Sequence, residues 1–431
     1  MQFLSTRGGD RVGIDQALLR GLAADGGLYV PARFPSLRPE MFADEHDLAA
    51  VSTRLLGAFF DESVLAPDLP SICATALNFP LPLIALADRN DYLLELFHGP
   101  SGAFKDVGAR FLAEALSRLR DPGQPPVTVL AATSGDTGSA VAAAFHRRPG
   151  FRVAVLFPKH GVSARQAHLL SCFGDNVDSY RVAGSFDDCQ TMVKAAFADR
   201  ELQERRPLTS ANSISIGRLL PQIGYYALAA LQYWREHATP LNFIIPSGNL
   251  GNGLAALYAR RIGLPIGAIQ FASNANTVLT DFFASGEYRP RPSVPTLANA
   301  MDVGAPSNLE RLRDLLPGLP GADPTLSAAA VSDAEIAARL RVFHQQQGRV
   351  ICPHTATAAE LLARTRAAGD DRPWCVVATA HPAKFEAVVE PLIGARVPIP
   401  ASLAPWLARP AQAIALDASA DALRDRLSQA T

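Results

Sequence analysis

The chain has 431 residues, 48% hydrophobic and 19% charged, with 31 Gly and 33 Pro; this excludes collagen-like, low-complexity and largely disordered classes and allows two or three lobes around a large core. Forty Lys and Arg oppose 41 Asp and Glu for a net charge of −1, too balanced for a protein that wraps a polyanion but compatible with a local cationic pocket. The longest uncharged stretches, Leu219 to Trp234 and Ile262 to Thr280, are interrupted by Pro, Gln, Gly or Asn, so none reads as an apolar membrane span.

The opening MQFLSTRGGDR lacks the basic segment and apolar run of a secretory signal, and a cytoplasmic protein is expected. Residues 1 to about 78 combine a Gly-rich start, an amphipathic stretch at Leu48 to Phe60 and breaks at Pro67, Pro70 and Pro80, the pattern of a helical N-terminal lobe. From about residue 90 short β-rich runs alternate with helical periods. Segments 127–133, 152–157 and 177–183 read as strands, followed by helices through Phe145, from about Ser163 and from about Phe186. Segments 241–245, 266–273 and 375–380 read as further strands, each followed by helical or loop sequence. Such alternation predicts parallel strands with crossover helices, an open α/β sheet or two. Repeated Pro and Gly between Arg291 and Pro324 predict a long irregular connection, and the Ala-rich last thirty residues a peripheral helix.

Five cysteines, Cys73, Cys172, Cys189, Cys352 and Cys375, lie far apart without the paired spacing of a zinc or redox site, and are expected to be buried thiols. The basic residues are more informative: 36 of the 40 are Arg, and the only lysines are Lys105, Lys159, Lys194 and Lys384. A chain that uses Arg for generic positive charge has reason to keep Lys where an amine must lose its proton and attack a carbonyl. Chance is the alternative explanation.

In open α/β sheets ligands bind beyond the carboxyl ends of strands, and three motifs follow strands or tight turns. Pro246–Gly253 (PSGNLGNG) joins a strand to a helical run, so its backbone N–H groups and the helix start form a cradle for phosphate. The spacing matches neither a dinucleotide nor a Walker-type loop, and a plain Gly/Asn turn is the bland reading. Thr133–Gly138 (TSGDTG) has donors suited to a carboxylate, although Asp136 or Thr137 would serve equally as a helix N-cap. In Gly99–Asp106 (GPSGAFKD), Lys105 enters a helix running through Phe111 among apolar neighbours. Burial there lowers an amine's proton affinity, and a cation at a helix start needs a partner. A reactive Lys beside a phosphate loop points to pyridoxal phosphate, whose aldehyde forms a Schiff base with Lys and whose phosphate needs many backbone donors.

LELFHGPSGAFKD (94–106), ATSGDTG (132–138), TSANSISIGRLLPQ (209–222), PSGNLGN (246–252), NAMDVGAPSN (299–308) and ATAHPAKF (378–385) together resemble the threonine synthase family of the bacterial and yeast type. STRG (5–8) and ALLRGLAADGGLYVP (17–31) resemble the same family's N-terminal lobe, so the similarity runs in order across about residues 3–390. The resemblance implies a fold-type II pyridoxal-phosphate enzyme of the tryptophan synthase β type, with two open α/β lobes, parallel-rich sheets and a helical N-terminal lobe. Residues 1–78 would form that lobe and 79–431 the catalytic region, with a smaller lobe at about 120–205 inserted in the larger.

By matching motif positions, the resemblance implies that Lys105 binds the cofactor covalently and shuttles protons at the substrate's α and β carbons. Gly248, Asn249, Leu250, Gly251 and Asn252 would hold the cofactor phosphate, and Thr379 the pyridine nitrogen. Ser134 and Thr137 would sit near the substrate carboxylate, and Asn212, Ser213 and Arg218 would grip the phosphate being eliminated. The implied reaction is conversion of O-phospho-L-homoserine and water to L-threonine and phosphate, with no metal, nucleic acid or membrane and with either a monomer or a homodimer. Ser101 and Gly102 depart from the family pattern of Thr and a larger residue. No S-adenosylmethionine control is expected. Roles for Asp136, Lys159, His381 and Lys384 stay open; Lys384 reads equally as an ion-pair partner or a solvated lysine. A phospholyase releasing a keto acid and a non-catalytic cofactor-binding regulator are the rival readings.

Overall fold

The computed structural model describes residues 1–87, 90–318, 321 and 323–429. Strands β1 (Gln2–Ser5), β2 (Arg11–Gly13) and β3 (Tyr29–Pro31) form a small antiparallel sheet in the order β2-β1-β3. The N-terminal lobe, expected to be helical, therefore also contains a sheet. Its strands have only three or four residues, too short for alternation to register. The amphipathic stretch is helical at Leu48–Gly57, capped by Asp47 accepting from the Ala50 N–H at 2.8 Å.

The larger sheet contains β4 (Leu83–Ala85), β5 (Asp91–Glu95), β10 (Leu241–Pro246), β11 (Ile266–Ser273), β12 (Leu326–Ala330) and β13 (Trp374–Ala378), in the order β12-β11-β10-β13-β5-β4. All its pairings are parallel except β4 with β5. The second sheet is wholly parallel: β6 (Val127–Ala132), β7 (Phe151–Pro158), β8 (Val177–Val182), β9 (Leu208–Ser210) and β14 (Ile414–Leu416), in the order β14-β8-β7-β6-β9. Strand β14 comes from the chain's far end, just before the helix Ala420–Gln429 that covers this sheet. Every residue of β10 and β13 is buried, the continuous apolar run of strands covered on both faces.

One continuous core joins both sheets to the helices Lys105–Leu119, Ile223–His237 and Gly251–Arg261, through Val107, Phe111, Tyr226, Leu254, Val129 and Ile245. Each such side chain contributes about 1.5 to 3 kcal/mol on burial. The helix at Lys105 extends to Leu119, past the expected Phe111. Within the stretch expected to be irregular lies the helix Leu309–Leu315, held by the buried Arg311; Leu319, Pro320 and Ala322 fall outside the described residues. All five cysteines are free and buried, and no helix of the described residues is long and apolar enough to cross a membrane.

Candidate active site

The carboxyl ends of β6, β9, β10 and β13 meet around a cavity of about 260 Å³ whose lining includes Ala132, Ser210, Pro246 and Thr379. All twelve residues singled out from the sequence line it: Lys105, Ser134, Thr137, Asn212, Ser213, Arg218, Gly248, Asn249, Leu250, Gly251, Asn252 and Thr379. They come from five separate motifs, brought together because each motif follows a strand end or begins a helix.

Lys105 owes its position to the turn before it. Gly102 turns the chain at φ 66°, and the Asp106 carboxylate accepts from the Ser101 N–H at 2.9 Å. A Cβ at Gly99 would stand 2.5 Å from Asp106 Oδ2, so the turn closes only around glycine. The Phe104 N–H donates to the Thr379 carbonyl and the His381 N–H to the Gly102 carbonyl, both at 2.9 Å, which ties this turn to the end of β13. Lys105 Nζ lies 3.7 Å from Asp136 Oδ2 and 5.0 Å from the Phe104 ring centroid. Burial pushes the Lys105 amine below its ordinary pKa; Asp136 opposes this, while Lys384 and Arg218 add to it.

Asp136 opens the helix Asp136–Phe145 and is buried. Burial by itself would raise its pKa, but the charges of Lys384 and Lys105 outweigh that and hold it well below the carboxylate range. The loop before it is fixed by Thr133, whose hydroxyl accepts from the Gly135 and Gly138 N–H groups at 2.9 Å each.

The phosphate-loop candidate has the shape its glycines require. A Cβ at Gly248 would stand 2.8 Å from Met301 Cα, and Leu250 adopts φ 64° directly before the helix Gly251–Arg261. A buried leucine in that region is strained, a feature typical of ligand-holding loops. Asn249 donates from Nδ2 to Ser213 Oγ at 2.7 Å and accepts from the Ser307 N–H at 2.6 Å, linking this loop to the 209–222 motif. Asn252 Oδ1 accepts from the Tyr225 and Tyr226 hydroxyls at 2.5 and 2.8 Å, while its buried Nδ2 has no partner among the described residues. Unsatisfied amide hydrogens facing a glycine cradle at a helix start suit an anionic group.

Arg218 is 1% exposed. Among the described residues its guanidinium hydrogen-bonds only the Ala211 carbonyl, and Nε has no partner. Burial pulls its pKa down to about 10, opposed by the more distant Asp106 and Tyr225. Asn212 Oδ1, in the same wall, is also buried without a partner. A buried cation with open donors is costly unless a ligand supplies the missing anion.

The sequence reading assigned no site role to several lining residues, notably Phe104, Lys194, Met301 and His354, and left that of Asp136, which also lines the cavity, open. His354 is 2% exposed; its Nε2 accepts from the Ala300 N–H at 3.0 Å, and burial holds its pKa near 4, so the ring is neutral with its proton on Nδ1. Of the residues left open, Lys159 is exposed and lines a different surface hollow. His381 shapes its loop, with Nδ1 accepting from the Ala383 N–H at 3.1 Å. Lys384 is fully buried in an ion pair with Asp136, which rules out the solvated reading.

Three family models cover the chain: "Threonine synthase N terminus" over residues 2–77, "Pyridoxal-phosphate dependent enzyme" over 78–381 and "Threonine synthase, C-terminal" over 355–426. The chain is 39% identical over 395 residues to threonine synthase of Haemophilus influenzae, covering 91% of each, and 37% identical to that of Escherichia coli, covering 92% of this chain and 91% of the relative. The chain belongs to the threonine synthase family. Among solved structures, threonine synthase from Escherichia coli superposes with a TM-score of 0.92 at 35% identity, covering 99% of both chains. The pyridoxal-phosphate-bound threonine synthase from Brucella melitensis gives 0.90 at 32% identity, covering 100% of both. The fold is accordingly that of fold-type II enzymes and the cofactor pyridoxal 5′-phosphate.

Proposed function

We propose that this member of the threonine synthase family converts O-phospho-L-homoserine and water to L-threonine and phosphate through the twelve cavity residues named above. The observation that carries the assignment of roles is Arg218, a buried guanidinium with an unpartnered Nε in the same cavity as Lys105. A cofactor phosphate needs one anion cradle, and the loop Gly248–Asn252 supplies it. A second set of polar groups, the unpartnered Arg218 Nε with Asn212 and the Ser213 hydroxyl that Asn249 ties to that loop, is what a substrate phosphate requires.

Pyridoxal phosphate, when bound, supplies the electron sink that stabilises negative charge at the substrate α carbon. Lys105 holds the cofactor and, as an amine of lowered proton affinity, takes and returns protons at the α and β carbons. Thr379 offers a hydroxyl to the pyridine nitrogen and, unlike a carboxylate, does not enforce its protonation. Ser134 and Thr137, at the start of the helix Asp136–Phe145, receive the substrate carboxylate with the helix dipole behind them. Arg218 stabilises the charge that develops on the departing phosphate. The reading includes the division into residues 1–78 and 79–431 with the smaller inserted lobe, a cytoplasmic location, and a monomer or homodimer acting on a small molecule.

The test is incubation of the cofactor-loaded protein with O-phospho-L-homoserine while amino-acid and phosphate products are measured together. Threonine and phosphate in equal yield are expected. Appearance of 2-oxobutyrate with little threonine would mean elimination without productive water addition, and absence of phosphate release would remove the activity altogether.

A further inference from the structure

Two of the chain's four lysines converge on one carboxylate. Asp136 Oδ1 lies 2.7 Å from Lys384 Nζ, and Oδ2 lies 3.7 Å from Lys105 Nζ. Lys384 Nζ also donates to the Ser101 carbonyl at 2.9 Å, on the turn that leads into Lys105. Asp136 and Lys105 line the cavity, whereas Lys384 stands behind the wall, fully buried on the short turn Pro382–Phe385 after β13. Gln166 Nε2 approaches Asp136 Oδ1 only at 3.5 Å, so Lys384 is the closest partner the carboxylate has.

With both amines protonated, this buried trio carries one excess positive charge; with Lys105 neutral, the remaining pair is balanced. We propose that Lys384 is a positioning residue, the counter-ion of Asp136, which fixes that carboxylate against Lys105 and leaves Lys105 free to give up its proton. The inference rests on the assignment of Lys105 as the cofactor-bearing amine. The other charged or titratable groups facing the trio are Arg218, neutral His354, the Cys352 thiol, which feels Asp136, and Asp106 and His381, which both feel Lys384. Lys384 does not line the cavity, so its influence on turnover is exerted through Asp136 and Lys105.

The test follows the visible absorbance of the lysine-bound cofactor against pH in the parent holoenzyme and in Lys384→Met, Asp136→Asn and the double variant. Removing Lys384 leaves the Asp136 charge facing the Lys105 nitrogen alone and should raise the midpoint by at least about one pH unit. Removing the Asp136 charge leaves Lys384 unbalanced and should lower it. The double variant restores a neutral pair and should return the midpoint to within about half a unit of the parent. Lys384→Met should also lower kcat roughly tenfold or more with a smaller change in KM. Opposite shifts that cancel are the signature; a purely structural lysine would not produce them. Coincident midpoints in the folded single variants would overturn the proposal. Should Lys384→Met fail to fold, Lys384→Gln takes its place, a raised midpoint supporting the proposal and an unchanged one refuting it. Borohydride trapping of the cofactor on Lys105 in the parent separates this outcome from failure of the functional assignment, since a parent without that adduct would refute the assignment itself.

Discussion

Arg218 and Arg311 are both fully buried, both have their pKa pulled down to about 10 by burial, and neither has a carboxylate partner among the described residues. Their donor sets differ. Arg311 donates to the Tyr29 carbonyl at 3.0 Å, to Asn308 Oδ1 at 2.7 Å and to the Ile214 carbonyl at 2.7 Å, bracing the N-terminal sheet against the loop behind Ser213. Arg218 has one carbonyl acceptor and an unpartnered Nε. A buried guanidinium whose fork is filled by backbone oxygens holds a fold together; one left open in a cavity is reserved for an anion.

The largest effect belongs to Lys105, which shares the cavity with Arg218. Lys105→Ala should abolish turnover and the reducible cofactor adduct together, read by borohydride trapping and product formation, which sets the floor for the other variants. Arg311→Ala comes next, as a loss of folding. Three acceptors would lose their donor, at about 3 to 5 kcal/mol in total, measured by urea unfolding. The kcat/KM of the protein that remains folded should fall far less than its stability. Arg218→Ala should reverse that pattern. Loss of a transition-state donor costs about 2.7 to 4 kcal/mol in kcat/KM, while removal of an uncompensated buried charge should leave urea stability unchanged or raised. Equal loss of stability in both variants would erase the distinction.

The distinction was only half visible in the sequence. Strand, glycine loop and helix start are local signals that marked the motifs at Lys105, Thr133 and Gly248, while Arg218 with Asn212 and Ser213, like Thr379, was picked out only by the family resemblance. Arg311 lies in a stretch whose Pro and Gly content suggested irregular chain; its acceptors at Tyr29 and Ile214 are 282 and 97 residues away. The same non-locality hid His354, which a helix from Pro353 carries into the cavity, and strands β9 and β14, three residues each. The scarcity of lysine was a better guide: Lys105 and Lys384 meet at Asp136, and only burial, invisible in the sequence, told the paired Lys384 from the exposed Lys159.

The smallest expected effect tests whether Arg218 is truly without a counter-ion, since Asp106 is the carboxylate that most opposes its burial. Asp106 is 0% exposed, Oδ1 has no partner, and burial raises its pKa from 3.8 to about 6 despite the Ser101 N–H and the positive charges of Lys384 and Arg110. The folded protein therefore binds this proton more tightly than the unfolded chain does. The resulting stabilisation is fully present below about pH 3.8 and is lost as pH rises through about 6. Two pH units correspond to roughly 3 kcal/mol, an upper bound for a site that relaxes when charged. Asp106→Asn keeps an oxygen to accept from the Ser101 N–H and removes the titration, so it should flatten this residue's share of the Tm-against-pH curve between about pH 4 and 6 and be the more stable protein above pH 6. A true counter-ion of Arg218 would have its pKa depressed, and its replacement would then lower Tm at neutral pH; that result would make Arg218 a paired cation like Lys384 and transfer the anion-binding role to Asn212, Ser213 and the loop at Gly248.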